Sequence, residues 1–556
     1  MTRQVLVMNV TRMGDLIQTG PLLARLRHEW PDVEVDLLVD RQFAAMAALL
    51  PGVRAVHAYD FNQMINECRA MSRDVVALYR DLKQWAAALR GRGYDRLVNL
   101  TFTRRTGLLA SYIGAPDMRG IIAGADGAPT IHDPWLSYFT DLHRHRRFNR
   151  FNIVDLYALG GSGLGPHASL SLTVAPEADA WVSEHLPPEQ PHDGWIAVQV
   201  GASEAIKAWR PQYFGRTMAA LSRRAQVGFV MLGTASERGT VHEAVAAYRQ
   251  AGGTAPILDM VQRTSIPQAI ALLKRMRVLL TNDTGPMHMA VAVGTKVVDL
   301  SVGHVDFRET GPYGDGHWVI QPDLDCAPCG FDKVCAHHAC KDRIAVEQVA
   351  ELCAAVVGRG SLPQAWTGVR VFESAVDADG LVEYRQRGGA IAESDEWYGR
   401  WWKQYWLSRF AGRPVPSARA MGSVPDSARH QSLYSTLVSL SSELTRTVDM
   451  LERASMRRPL HGAALQAANR SLTVVHRRLV EVTEGSPVFG PITVALRREL
   501  VCEDSLEIVS MAQGKCRAFR RWLNGIRQLA EALELTHSAG RSGAPGQTSV
   551  SVVQAA

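Results

Sequence analysis

A carboxylate follows a glycine turn near the start of the chain, where open α/β sheets bind ligands. Gly14 and Asp15 come shortly after residues 5–10, an apolar run typical of a buried strand, and helical spacing begins beyond them. Glycine permits a tight turn, and a carboxylate at the cleft edge could take a proton from a substrate hydroxyl. Asp15 could equally do no more than cap the following helix, because aspartate is a favoured capping residue.

A lysine lies in a loop of small residues that follows another predicted strand. Residues 201–207 read Gly-Ala-Ser-Glu-Ala-Ile-Lys and come directly after the apolar run 196–200. Small residues let the backbone approach a diphosphate, and Lys207 would supply a point charge. The spacing is not that of the G-x-x-x-x-G-K-[ST] phosphate loop.

A third polar turn joins a predicted strand to a predicted helix at residues 281–290. Asp283 could accept hydrogen bonds from sugar hydroxyls. Gly285 turns the chain before Pro286, and proline is favoured at the first position of a helix. Backbone N–H groups at the helix start could hold phosphate, although helix capping alone would also explain these residue types.

Four cysteines lie within fifteen residues, at Cys326, Cys329, Cys335 and Cys340. Four thiolates at short spacing could bind zinc or iron tetrahedrally. The spacing is tighter than that of a usual zinc ribbon, so reduced buried thiols and a redox disulfide stay open as alternatives.

Taken together, these segments resemble glycosyltransferase family 9, the heptosyltransferases. The resemblance covers about residues 3–357 and rests on motifs that keep their order at the loops of two predicted domains. The motifs are MGDLIQTGPLL, KAWRPQYF, LGTASE, NDTGPMHMAVAVGT, GPYG and CAPC…C…C. The resemblance implies the α/β fold called GT-B, in which two Rossmann-like domains face a cleft. The first would bind the acceptor and the second the nucleotide sugar.

The resemblance also implies a role for each candidate residue. Asp15 would be the general base of a direct, inverting displacement, and Lys207 would neutralise the leaving diphosphate. The other donor-site residues would be Glu237 at the ribose hydroxyls, Asp283 at the transferred sugar, Thr284 and Gly285 at phosphate, and His288, which would order the helix. The family requires no cofactor for catalysis, so the metal to be considered is a structural zinc or iron at the four cysteines.

Alternating apolar runs and helical stretches predict two consecutive α/β domains, followed by a region of different character. We expect an N-terminal Rossmann-like acceptor domain at 1–175, a Rossmann-like nucleotide-sugar domain at 176–360, a hairpin, aromatic helix and linker at 361–427, a mainly helical domain at 428–540 and a disordered tail at 541–556. Six Trp and Tyr residues within 397–406 predict a helix packed on the catalytic body or, alternatively, a carbohydrate platform.

Composition and charge exclude several classes of protein. Hydrophobic residues make up 46% and charged residues 21%, which is typical of a globular protein. No run approaches the roughly 18 apolar residues of a membrane-spanning helix, and the N-terminus lacks signal-peptide features. We expect a cytoplasmic enzyme. A nicotinamide oxidoreductase is disfavoured because the glycine fingerprint is missing.

The positive charge is concentrated near the C-terminus. Residues 401–540 contain 19 Lys and Arg against 12 Asp and Glu, while the whole chain has a net charge of +6. Basic helix faces could contact membrane phosphate at the inner face of the inner membrane, or could simply be solvated. We expect no nucleic-acid partner and leave an oligomer open.

The expected function is transfer of a sugar, heptose in the first instance, from an ADP-heptose-like donor. The expected acceptor is lipopolysaccharide core or another surface glycan. One alternative is a protein glycosyltransferase that modifies a surface or flagellar protein. Another is a non-catalytic binding protein of the same fold, against which the presence of Asp15, Lys207 and Asp283 argues.

Overall fold

The computed structural model describes most of the chain, in segments. These are residues 2–124, 126–141, 146–188, 191–331, 334–390, 393–414, 421–457, 459–502 and 508–535. The chain forms two compact units, Met1–Arg413 and Pro414–Ala556. The predicted disordered tail lies outside the described residues.

The first unit begins with a six-stranded sheet whose apolar strands are buried on both faces. Its strands are β1 (Gln4–Met8), β2 (Glu34–Asp40), β3 (Val53–Tyr59), β4 (Arg96–Asn99), β5 (Asp117–Ala123) and β6 (Pro129–His132). The order is β3-β2-β1-β4-β5-β6, with all neighbours parallel except β5 and β6. Val5, Leu6, Val7 and Met8 of β1 have no exposed surface. Burial on both faces is the reason for the continuous apolar run in the sequence.

Helices cover this sheet on both faces. They are α1 (Met13–Ile17), α2 (Gly20–Glu29), α3 (Ala44–Ala47), α4 (Phe61–Ala70), α5 (Val75–Arg90), α6 (Arg104–Ile113), α7 (Pro134–Asp141) and α8 (Ile153–Ser162). Several begin at side chains that accept N-terminal N–H groups. Asp74 accepts from Val76 and Ala77 at the start of α5, for example.

A second sheet of eight strands follows in the same unit. Its strands are β7 (Trp195–Gln199), β8 (Gly228–Leu232), β9 (Ile257–Asp259), β10 (Val278–Asn282), β11 (Lys296–Leu300), β12 (Trp318–Pro322), β13 (Val369–Val376) and β14 (Val382–Gly388). The order is β14-β13-β12-β11-β10-β7-β8-β9. Strands β7 to β12 are parallel to one another, while β13 and β14 are antiparallel additions at the β12 edge.

The helices of this second half complete the unit. They are α9 (Pro176–His185), α10 (Pro211–Ser222), α11 (Arg238–Gln250), α12 (Ile266–Lys274), α13 (Gly285–Ala292), α14 (Phe307–Thr310), α15 (Ala339–Arg343), α16 (Val346–Val356) and α17 (Glu393–Ala411). Each sheet therefore has the strand order of a doubly wound Rossmann-like domain, and its order reverses at one point. This arrangement confirms the predicted fold class, GT-B.

The hairpin and the aromatic helix both belong to the first unit. The hairpin β13–β14 extends the second sheet through pairs such as Val319 with Phe372. The six aromatic side chains on α17 are at most 5% exposed. Their neighbours include Tyr138, whose ring lies 5.6 Å from Trp406, and Phe148, 5.8 Å from Tyr398. The packing interpretation of the aromatic residues is therefore confirmed.

The second unit is a helical bundle. It contains α18 (Ser427–Met456), α19 (Gly462–Thr483), α20 (Gly490–Cys502) and α21 (Ile508–Ala532). Leu437, Leu444 and Leu451 of α18 recur every seven residues and are fully buried. Throughout the described part of the chain, no helix is both long and apolar enough to span a membrane.

Candidate functional site

Both sheets place their candidate residues at the point where strand order reverses. The loop after β1 carries Asp15, the loop after β7 carries Lys207, and the loop after β10 carries Asp283. Open α/β sheets bind ligands at such points, since neighbouring loops diverge there and leave a crevice. A cavity of about 480 Å³ lies where these loops meet. It is lined by Asp15, Lys207, Glu237, Asp283, Thr284, Gly285 and His288. The structure thus brings together all seven candidates for the reaction and the donor.

Asp15 is held in place through its backbone. Asn9, which follows β1, is 1% exposed and donates from Nδ2 to the Asp15 carbonyl oxygen at 3.0 Å and to Thr19 Oγ1 at 3.0 Å. The carboxylate itself accepts a long bond from the Arg12 N–H, at 3.3 Å. Asp15 does take a capping position at the start of α1. Because its bond to the Arg12 N–H is long, the carboxylate can still accept a hydrogen bond from a substrate hydroxyl.

The first and second halves of the unit approach each other closely at the site. A Cβ added to Gly14 would lie 3.0 Å from His288 Cδ2, and one added to Gly285 would lie 2.7 Å from Met13 Cε. Glycine at both positions therefore permits contact between α1 and α13. Asp15 of α1 and the first residues of α13 therefore line the same cavity.

Asp283 lies at the entrance to α13 and is 7% exposed. Its Oδ2 accepts a short hydrogen bond from Thr310 Oγ1, at the end of α14. Thr284 is the N-cap residue of α13, and its hydroxyl lies 3.2 Å from that of Thr281. The helix start therefore points its positive end into the cavity, where a phosphate would be stabilised.

The lysine loop is fixed by a second buried asparagine. Asn282, fully buried at the end of β10, donates from Nδ2 to the Val200 carbonyl at 2.9 Å and accepts at Oδ1 from the Trp209 N–H at 2.9 Å. These bonds bracket the loop that carries Lys207. In the described residues, no carboxylate forms an ion pair with Lys207, so its ammonium is available to an anionic ligand.

Glu237 is engaged on both carboxylate oxygens. Oε1 accepts from Gln199 Nε2 at 2.9 Å, and Oε2 accepts from the N–H and hydroxyl of Thr234 at 2.7 and 2.9 Å. A Cβ on Gly201 would collide with Oε1, at 1.8 Å. Glu237 therefore connects the loop after β8 to the end of β7, and a carboxylate retains acceptor capacity beyond these bonds for ribose hydroxyls.

His288 is a buried, neutral residue of the cavity wall. Burial lowers the pKa of His288, and Asp283 and Asp15 oppose that shift. Its Nε2 lies 3.5 Å from Gln18 Nε2. In the described part of the chain, His288 Nδ1 and Gln18 Oε1 are buried without a hydrogen-bond partner. Unsatisfied buried polar atoms are uncommon in folded proteins, and here two of them lie in residues that line one cavity.

Sequence reasoning missed the residues that position the site. They are Asn9, Gln18, Asn282 and Thr310, of which the asparagines hold the two reactive loops and Thr310 holds Asp283. The sequence could have indicated the two asparagines, because each is a polar residue at the end of an apolar strand. No local pattern points to Thr310, which is 27 residues from its partner.

A protein-family model matches the part of the chain that contains the donor-site motifs. The model described as glycosyltransferase family 9 (heptosyltransferase) matches residues 82–341. Residues 82–341 belong to glycosyltransferase family 9. The predicted family and the predicted enzyme class, a glycosyltransferase, are therefore confirmed. The family 9 segment carries every donor-site candidate, whereas Asp15 lies before it.

The chain is also similar to curated and solved heptosyltransferases. Lipopolysaccharide heptosyltransferase 3 of Escherichia coli K12 is 24% identical over 302 residues, which cover 53% of this chain and 82% of that protein. The solved E. coli ADP-heptose lps heptosyltransferase II is 17% identical, with a TM-score of 0.47, over 64% of this chain and 98% of that one. The iron-containing dodecameric glycosyltransferase TibC of enterotoxigenic E. coli is 10% identical, with a TM-score of 0.36, over 64% and 76%.

The four thiols of the cysteine segment lie in different environments. Cys326 is exposed, Cys335 is half-buried, and Cys329 and Cys340 are buried. Cys335 Sγ accepts a hydrogen bond from the His338 N–H at 3.3 Å. Residues 332 and 333 of this segment lie outside the described residues, and within those described no group of three or more His, Cys, Asp or Glu side chains could hold an ion. As placed, the four thiols do not fit a shared metal, and the zinc or iron site stays a prediction.

Elemental analysis tests the cysteine prediction. If the four thiolates share an ion, protein purified without added metal should contain about one zinc or iron per chain, because metal binding stabilises the fold that holds it. Cys329→Ser should then lose the ion and lower the melting temperature, while Cys68→Ser, at an exposed position, should change neither. Four titratable thiols with no stoichiometric metal would leave a packed thiol cluster instead.

A buried ion pair connects the cysteine segment to the donor side of the cavity. Arg146 donates from Nε and Nη2 to the two carboxylate oxygens of Glu309 at 2.8 and 2.9 Å. It also donates to the carbonyls of Cys329 at 3.2 Å and His304 at 2.8 Å. Burial raises the pKa of the Glu309 carboxyl, and Arg146 opposes the rise. Thr310 directly follows Glu309 in the chain. The Arg146–Glu309 pair therefore helps to position the Thr310 hydroxyl that donates to Asp283.

Proposed function

We propose that the family 9 enzyme transfers heptose from an ADP-heptose-like donor to an acceptor hydroxyl with inversion at the anomeric carbon. The observation that carries the proposal is that one cavity joins both sheets at the points of order reversal. Asp15 lines this cavity from the first half of the unit, and Lys207 and the start of α13 line it from the second half. A base facing a diphosphate site is what a single displacement between two bound substrates requires.

The reaction follows from this arrangement. The acceptor oxygen attacks the anomeric carbon as Asp15 takes the hydroxyl proton, and the bond from that carbon to the diphosphate oxygen breaks. The electron pair leaves with the nucleoside diphosphate. Attack opposite the leaving group inverts the anomeric centre and forms no covalent bond to the enzyme.

The leaving group gains negative charge as the bond breaks. Lys207 and the positive end of α13 stabilise that charge, and they are already in place before the reaction begins. Asp283, held by Thr310, would accept hydrogen bonds from the transferred sugar, and Glu237 would accept them from the ribose. These groups replace a metal in binding the diphosphate, so no cofactor is part of the proposal.

The acceptor has two candidates. The relatives named as lipopolysaccharide heptosyltransferases favour lipopolysaccharide core or another surface glycan, made at the inner face of the inner membrane. Such an enzyme would be cytoplasmic, with peripheral contact to the membrane. The second candidate is a surface or flagellar protein. A non-catalytic role is disfavoured because Asp15, Lys207 and Asp283 converge on one cavity.

A panel of nucleotide sugars tests the donor. We expect calorimetry to show that ADP binds more tightly than UDP or GDP, and that labelled ADP-heptose is consumed in preference to ADP-glucose. NMR of the product should show the anomeric configuration opposite to that of the donor. Retention of configuration would overturn the displacement mechanism, and stronger binding of another nucleotide would change the donor.

Lys207→Ala should weaken ADP binding by about tenfold or more, because a charge-assisted contact to the diphosphate is lost. The matched control is Lys274→Ala, which removes the same charge from an exposed position on α12. Calorimetry with ADP and with adenosine separates the effects, since adenosine has no phosphate and should bind both variants equally. Unchanged ADP affinity in Lys207→Ala would place the diphosphate elsewhere.

A further inference from the structure

The short helix α15 contacts the loop that carries Lys207, although the two residues that meet are 136 positions apart. Lys341 of α15 donates from Nζ to the Ala205 carbonyl oxygen at 2.6 Å. Ala205 begins a single helical turn, Ala205–Lys207, which ends at the lysine proposed to bind the diphosphate. The ammonium of Lys341 therefore holds this turn at its first residue.

The same residue of α15 also holds the chain on the other side of Lys207. Trp209 donates from Nε1 to the Lys341 carbonyl oxygen at 2.8 Å, and the Trp209 side chain is fully buried. In the sequence, Ala205 and Trp209 lie at equal distances before and after Lys207. Lys341 thus contacts both flanks of Lys207, one through its side chain and the other through its backbone.

The loop between these two contacts has little support from core packing. Residues 203–205 are exposed, and Lys207 itself is half-buried. A Cβ added to Gly303 would lie 2.4 Å from the Ile206 carbonyl oxygen, so the backbone of the loop approaches a neighbouring turn closely. An exposed segment keeps one conformation only as far as such contacts and hydrogen bonds hold it.

Lys341 is suited to hold a carbonyl rather than a carboxylate. The neighbouring carboxylate of Asp342 pairs with the Arg210 guanidinium, at 2.6 Å. The ammonium of Lys341 donates to a neutral oxygen, and a hydrogen bond from an ionised donor is about twice as strong as one between neutral groups. The contact is therefore a directed hydrogen bond to the loop.

We infer that Lys341 is a positioning residue, which holds the turn Ala205–Lys207 so that the Lys207 ammonium is in place for the diphosphate. The inference rests on the proposed function, in which Lys207 stabilises the charge of the leaving group. Such a charge is most effective when it is in place before the reaction, because no reorganisation is then needed. Lys341 itself makes no contact with substrate in this proposal.

Lys341→Met removes the ammonium and keeps the apolar part of the side chain. We expect it to weaken ADP binding about fivefold and to leave adenosine binding unchanged, because only the phosphates depend on the position of Lys207. The matched control is Lys296→Met, since Lys296 Nζ likewise donates to a backbone carbonyl, that of Asp315, at 2.9 Å. Calorimetry with both ligands measures these affinities, and the control should change neither.

Two outcomes of this comparison would overturn the inference. One is unchanged ADP affinity in Lys341→Met. The other is an equal loss of affinity for ADP and for adenosine, which a general structural role would produce. Lys341→Ser, whose side chain is too short to reach the Ala205 carbonyl, provides the same comparison if Lys341→Met does not fold.

A double variant shows whether Lys341 acts through Lys207. We expect Lys207→Ala combined with Lys341→Met to bind ADP as weakly as Lys207→Ala alone, since no ammonium is left to position. A further loss of about fivefold in the double variant would show an independent effect of Lys341 and would overturn the inference. Unchanged ADP affinity in Lys207→Ala would contradict the proposed function itself. A loss in Lys207→Ala without one in Lys341→Met would contradict this inference alone.

Discussion

Asp15→Asn should lower turnover by about 10² or more, because an amide cannot take the proton that the acceptor hydroxyl must lose. Nucleotide binding should remain, since Lys207 and the start of α13 are unchanged. The fold should also remain, because the bonds from Asn9 reach the backbone of residue 15 and Thr19 rather than the substituted carboxylate. Single-turnover kinetics with saturating donor measures the chemical step directly.

The matched control is Asp32→Asn, which makes the same change at an exposed turn after α2. It should leave the rate of the chemical step unchanged. Turnover near that of the unmodified enzyme, with the chemical step limiting, would contradict the assignment of Asp15 as the base.

Arg146→Met should destabilise the first unit by about 3–5 kcal/mol, because it leaves the buried Glu309 carboxylate without its partner. The side chains of Arg146 and Glu309 are 9% and 8% exposed, so water cannot replace the lost bonds. The carbonyls of Cys329 and His304 lose their donor as well. Thermal unfolding with and without ADP measures the change.

Arg210→Met provides a control of the same chemistry at the surface. Arg210 also binds both oxygens of a carboxylate, Asp342, at 2.6 and 2.7 Å, but the two side chains are 41% and 45% exposed. We expect that variant to cost about 1 kcal/mol or less. A double variant, Arg146→Met with Glu309→Leu, should regain part of the lost stability, since it removes the unpaired charge. Equal effects of Arg146→Met and Arg210→Met would show that burial of the first pair has no energetic consequence.

The local sequence determined the elements and the candidate residues of the cavity that Asp15, Lys207 and Asp283 line. Apolar runs such as residues 5–10 predict buried parallel strands, because a strand covered on both faces must be apolar throughout. Polar residues that end such runs lie at the carboxyl edge of a sheet, where ligands bind. Asp15, Lys207 and Asp283 could be selected for this reason, together with the resemblance of their motifs to family 9.

Tertiary structure decided how these residues meet and what holds them. The approach of α1 to α13 depends on glycines 271 positions apart, and the Arg146–Glu309 pair joins residues 163 positions apart. The hairpin pattern of β13 and β14 indicates two paired strands but does not indicate that they extend the second sheet. A cavity of about 660 Å³ at the carboxyl edge of the first sheet likewise depends on the packing of α4, α5 and α6. A local pattern specifies the conformation of a segment. The partners of a buried charge and the walls of a cavity come from segments far apart in the chain, and only the folded structure brings those segments together.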